Sequence, residues 1–321
     1  MSAAALSLLA PAAFGHMLER VPSSGPPAQW NPARLAYLPV DRVPRPPSTF
    51  IHPGLEYVVV LPNRWAQTQD IHVCFVGGSD QLRAKILGIS SAWMTHANLK
   101  LISGGPSGVN CSTDHDKSEI RIGFQEPGYW SYIGNDSLST ELVSNNLVSM
   151  NFEGYDKNPP PEPRFSGIVL HELGHALGFH HEHQSPASGC DSEYNWPKLY
   201  AYYQQNYGWD KKMVDDNLKE LNADRSVYDW SQRDPQSIMI YGSDPQFLLK
   251  GAQSKCYFHD NNTLSKLDFV GIEQTYPVNN AATALKFQAA TLPLALGVDI
   301  TPELRKALEK QHDLVKTQMK Q

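Results

Sequence analysis

Five of the chain's 12 histidines fall within the stretch His171-Glu-Leu-Gly-His175-Ala-Leu-Gly178-Phe-His-His181-Glu-His183. On a helix, residues four apart share a face one turn apart, so His171 and His175 can aim their imidazoles at one metal ion. Glu172 is rotated by about 100° from His171, which sets its carboxylate beside that ion without making it a ligand. Ten residues of continuous helix would carry His181 about 15 Å from His171, so the chain must turn back before it. Gly178 is the residue that lets a helix end in a left-handed conformation. Three neutral imidazoles leave zinc its full charge and an open coordination position, the arrangement of a catalytic and not a structural site. The chemistry that follows is hydrolysis of an amide: water made acidic by the metal, Glu172 taking its proton and returning it to the leaving amine. A bare H-E-x-x-H recurs by accident, but Gly178 and His181 fix two further positions at the spacing the geometry needs. His180 and His183 read as a ligand's neighbour on the turn and a partly exposed residue.

The rest of the chain must supply a helix for this motif and a sheet to carry the helix. With 41% apolar and 19% charged residues and a net charge of -6, it has the composition of a globular protein. That charge gives no reason to expect nucleic acid or an anionic membrane as partner, and no apolar run reaches the roughly 18 residues of a membrane helix. Residues 1–66 hold 11 of the 24 prolines, which predicts an extended leader: a propeptide, a linker, or an arm wrapped on the main domain. Residues 1–15 resemble the apolar core of a secretory signal, without its positive n-region. Regular structure is expected from near Ile71, as an alternating strand over 71–76, then a helix capped by Asp80 and running through Leu82, Ile86, Ile89 and Trp93. Short strands are expected at 99–103, 119–124, 130–134 and 148–152, and the histidine helix over 165–179. A helix over 194–207 and a short one over 265–276 follow in an otherwise irregular stretch, with a terminal helix over 301–320 capped by Thr301. The order implies an α+β domain, 67–277, with a twisted mixed sheet carrying helices above and an irregular C-terminal part, followed by a tail, 278–321. Cys74, Cys111, Cys190 and Cys256 contain no C-x-x-C pair; they allow three pairings, of which Cys190–Cys256 with Cys74–Cys111 is favoured. Two disulfides suit export, as do the sequons at Asn110, Asn135 and Asn261.

H-E-x-x-H-x-x-G-x-x-H followed by a methionine turn is the metzincin signature. The chain resembles that family: Ser237-Ile-Met239-Ile-Tyr241 stands 58 positions after His181, counted to Met239. Glu182 directly after the third histidine, and Leu264-Ser-Lys-Leu-Asp268, resemble the astacin branch, above all its bacterial and fungal members with His-Glu-His-Gln-Ser-Pro, here at 181–186. The resemblance covers about residues 67–277. It implies a two-subdomain protease with its cleft near His181, one catalytic zinc on His171, His175 and His181, and Met239 as an apolar base beneath them. It also implies that the Tyr241 phenol can ligate zinc at rest and stabilise the oxyanion, and that Glu182 contacts an N-terminus created on activation. Substrate would lie extended along the edge strand 129–133.

The expectation is therefore a secreted, monomeric zinc endopeptidase acting on extended polypeptide. Two other readings stand beside it: a zinc amidase acting on a non-protein amide, and a pseudoenzyme that only binds peptide.

Overall fold

The structure, a computed structural model, describes residues 58–277 except 112–117, 127, 139–147, 225–227, 231–232 and 241, together with 302–318. β-Branched and aromatic residues at 70–75 pair on both sides and form the strand around which the sheet grows. In chain order the strands are β1 (Val58–Val60), β2 (Asp70–Phe75), β3 (Lys100–Ile102), β4 (Val109–Asn110), β5 (Ile120–Gly123), β6 (Tyr129–Ser131), β7 (Met150–Phe152) and β8 (Tyr228–Trp230). The main sheet runs β3-β2-β5-β7-β6, with β4 continuing the β3 edge of β2. All its pairings are parallel except β6 with β7, so the sheet is mixed, with an antiparallel strand at one edge.

The helices are α1 (Asp80–Met94), α2 (Arg164–Ala176), α3 (Trp196–Tyr207), α4 (Lys211–Leu218), α5 (Lys266–Thr275) and α6 (Pro302–Gln318). Four start on a side-chain cap that satisfies an orphan N–H. Ser79, and not the Asp80 expected, caps α1; Asn195 caps α3 and Asp210 caps α4. Ser265 and Asp268 form a capping box at α5. α1 and α2 are fastened together by the Trp93 indole, which donates to the Leu170 carbonyl at 2.9 Å and stacks on Phe179 with centroids 5.4 Å apart. Ile86, Ile89, Trp93, Leu170, Leu173 and Met239 share one buried core between sheet and helices. A second core joins α3 to the loops after it through Tyr194, Leu199, Tyr203, Phe247 and the Cys190–Cys256 pair.

Two features depart from the sequence reading and one agrees with it. Among the described residues, regular structure is present from Val58, inside the proline-rich stretch, and not only from near Ile71. β1 pairs with β8 and with the turn after α2, where Val60 N donates to Gly178 O (2.9 Å) and His180 N to Val58 O (3.0 Å). No local pattern announces such a strand, because its partners are over a hundred residues away. The stretch after α3, expected to be irregular, contains α4, whose eight residues give too short a period to read. The cysteines pair as favoured, Cys74 with Cys111 and Cys190 with Cys256.

Candidate metal centre

α2 carries the first two histidines on one face and ends just beyond the second. Gly178 sits at φ +96°, and its N–H closes on the His175 carbonyl at 2.8 Å. A Cβ there would meet nothing nearer than 3.7 Å, so the backbone angle, and not space, is what calls for glycine. The chain then reverses and brings His181 back over α2.

The three imidazoles converge. His175 Nε2 lies 3.1 Å from both His171 Nε2 and His181 Nε2, and among the described residues this is the one cluster of three ligating atoms within 4.8 Å of one another. Tetrahedral zinc at ~2.05 Å from each nitrogen requires nitrogens about 3.3 Å apart, so the spacing fits. Each Nδ1 faces an acceptor: His171 donates to Ile238 O (2.7 Å), His175 to Phe179 O (2.8 Å) and His181 to Gln184 Oε1 (3.2 Å). With the proton held on Nδ1, every Nε2 lone pair is directed inward. All three rings are buried, and burial, reinforced by the neighbouring histidines, drives His181 well below the usual imidazole range, which keeps it a neutral donor.

Glu172 is 2% exposed. Burial pushes its carboxyl up to about 7 against the lowering effect of His171. Met239 is 2% exposed, and its sulfur occupies the space left by the missing side chain of Gly174 on α2. The turn that holds it is clamped by Asp268, which accepts from Ser237 Oγ (2.6 Å), Ile238 N (2.9 Å) and Ser265 N (2.7 Å). Ile238, in turn, supplies the carbonyl that receives His171. Glu182 is buried, accepts from Asp234 N (3.2 Å) and donates its own N–H to Met239 O (2.9 Å). Residues preceding Val58 lie outside the described residues, and so does Tyr241.

His180 and His183 are not members of the cluster. His180 Nδ1 accepts from His181 N at 2.9 Å; burial lowers its pKa to about 4, with Gln184 pulling the other way. His183, expected to be partly exposed, is 1% exposed and faces the Asn217 carbonyl at 3.2 Å. The segment after α3 folds back over the turn and buries it. Gly174 went unread in the sequence, and Gln184 was read only as part of the run 181–186: one matters through the space it leaves, the other through a contact with α4. Asp268 was noticed, and its spacing to Ser265 is that of a capping box, but not its hold on the methionine turn. A cavity of about 250 Å³ opens beside His171, lined among others by Ile168, Ile238, Ile240, Arg164 and Asp260.

This arrangement has counterparts among solved proteins. Myroilysin matches 70% of this chain and 100% of its own, at 31% identity and a TM-score of 0.58. The chain belongs to the astacin-like zinc proteases. A second myroilysin structure matches 67% of this chain and 86% of its own, at 28% identity and a TM-score of 0.47. The hatching enzyme High choriolytic enzyme 1, a zinc protease of the medaka fish Oryzias latipes, matches 67% of this chain and 94% of its own, at 18% identity and a TM-score of 0.43. By sequence, High choriolytic enzymes 1 and 2 of Oryzias latipes are 32% identical over 90 residues. That stretch spans 28% and 27% of their lengths. No family model matches the chain. The mixed sheet, the helix over it and the three-histidine cluster are thus those of an astacin-like fold.

Proposed function

We propose that the chain is a zinc-dependent endopeptidase in which His171, His175 and His181 hold the metal and Glu172 moves the proton. The observation that carries this reading is the convergence of three Nε2 atoms, each with its Nδ1 turned to an acceptor, beside a buried carboxyl raised to about 7. Zinc, when bound, supplies a Lewis acid that lowers the pKa of water and polarises the scissile carbonyl. Glu172 takes the water proton and delivers it to the leaving amine. The Tyr241 phenol, by the family resemblance, donates to the developing oxyanion.

The substrate is a polypeptide held in extended form. Among the described residues β6 pairs with β7 and ends the strand order of the main sheet, and it packs against α2. By the family resemblance, the substrate would lie along this strand through backbone hydrogen bonds that do not read sequence. The cavity beside His171 would receive one substrate side chain. Two disulfides support action outside the cell.

The test combines zinc content with casein cleavage by the wild type and by Glu172→Gln. One zinc per chain, cleavage by the wild type and a loss of at least about 100-fold in the variant are expected. A wild type that binds zinc and cuts no polypeptide favours the amidase or peptide-binding reading; cleavage that survives Glu172→Gln removes the mechanism.

A further inference from the structure

Gln184 stands three residues after His181 and closes the short 3-10 turn Glu182–Gln184. It is fully buried. Its Nε2 donates to Asp216 O at 2.9 Å and to Lys219 O at 3.1 Å, carbonyls at the C-terminal end of α4 that no helical N–H can reach. Its backbone carbonyl receives Leu221 N at 2.8 Å, so the same segment grips both ends of the residue. With both amide protons committed, the side chain can present only its oxygen to His181. An oxygen can only accept, so His181 must carry its proton on Nδ1 and turn its Nε2 lone pair toward the other two imidazoles. Turning the amide over would set its NH2 against the imidazole N–H and its oxygen against two carbonyls. His171 and His175 donate to backbone carbonyls, which no substitution deletes. His181 differs in that its Nδ1 partner is a side chain.

We propose that Gln184 is a positioning residue that sets the tautomer and orientation of the third zinc ligand from the C-terminal end of α4. Zinc affinity therefore depends on how that helix end is seated, although none of its residues touches the metal. The inference rests on the reading of the three imidazoles as zinc ligands.

The test uses the full chain, stripped of zinc, with affinity read by competition against a chromogenic chelator and the melting temperature of the zinc-free protein measured alongside. Gln184→Met keeps the length and loses the acceptor; it should weaken zinc binding 10–100-fold, the usual cost of losing such a partner. Gln184→Glu keeps an acceptor for His181 and sets a carboxylate against the Asp216 and Lys219 carbonyls. It should lower the zinc-free melting temperature while holding zinc affinity within about threefold of the wild type. Unchanged affinity in Gln184→Met, or weakening of both variants in step with their melting temperatures, overturns the proposal. A wild type that takes up no zinc overturns the metal-site reading and this inference with it, whereas one zinc per wild-type chain with Gln184→Met unchanged overturns this inference alone.

Discussion

Gly174 offers a way to disturb the metal centre from beneath without altering a ligand. An ideal Cβ at this position would fall well inside van der Waals contact distance of Met239 Sδ and 3.1 Å from both Met239 Cε and Trp93 Cζ2. Trp93 cannot yield, being fully buried, fixed to Leu170 O and stacked on Phe179. Met239 must move instead, and its backbone is tied to Ser237 Oγ (3.0 Å) and to Glu182 N (2.9 Å). Overpacking of this kind costs ~1–3 kcal/mol, and the better helix propensity of alanine offsets about 1 kcal/mol. The net for Gly174→Ala should be a loss of about 0–2 kcal/mol in the zinc-free protein, a melting temperature lower by up to about 8 °C. Displacement of the turn also shifts Ile238 O, the partner of His171, so zinc affinity should fall about tenfold. A double-mutant cycle isolates the cause. Met239→Ala removes the sulfur, so the Gly174→Ala/Met239→Ala pair should lose less than the sum of the single variants, with a coupling of at least about 1 kcal/mol. Additive losses, or a Gly174→Ala protein that is more stable and binds zinc as the wild type does, would refute the steric argument.

Asp268 should make stability depend on pH. Burial pushes its carboxyl up to about 6, against the three hydrogen bonds it accepts, while the unfolded chain keeps the ordinary carboxylate value. The folded state then holds the proton more tightly, so this contribution is present below about pH 4 and is lost as pH rises through 6. Measured by denaturant unfolding of zinc-free protein, the stability of the wild type minus that of Asp268→Asn should fall by about 3 kcal/mol from pH 4 to pH 7; a flat or rising difference contradicts the assignment. Cys190–Cys256 spans 66 residues, and a loop of that length contributes about 4 kcal/mol through the unfolded state. Replacing both cysteines by alanine should cost several kcal/mol in chemical denaturation while leaving the zinc stoichiometry at one, since neither residue lies in the cluster.

The three-histidine cluster was legible because its geometry is local. His171, His175 and Glu172 follow from helical period, and Gly178 and His181 from the need to reverse the chain within six residues. The strands at 70–75, 120–123 and 150–152 were legible for the same reason, each being a short apolar run between breakers. What escaped was the set of contacts that hold the site in place. Met239 reaches Gly174 across 65 positions, Gln184 reaches α4 across 32 to 35, and β1 covers the Gly178 turn from more than a hundred residues upstream. None leaves a periodic trace, since each depends on one partner and not on a repeated face.

That division bears on how the centre holds its shape. α2 alone orients only two imidazoles, and the elements that complete the site come from elsewhere. β1 pairs across the turn through Val58 O and Val60 N, α5 contributes Asp268 beneath Ile238, and α4 contributes two carbonyls to Gln184. The three Nδ1 partners are thus held from different parts of the fold: His171 meets Ile238 O, His175 meets Phe179 O in the turn after its own helix, and His181 meets Gln184, itself held by the end of α4. A ligand set assembled this way cannot form before the sheet core and the C-terminal segment have both packed. Zinc affinity should accordingly report on the seating of all three supports, and binding of the metal should stabilise the contacts among them by the same free energy.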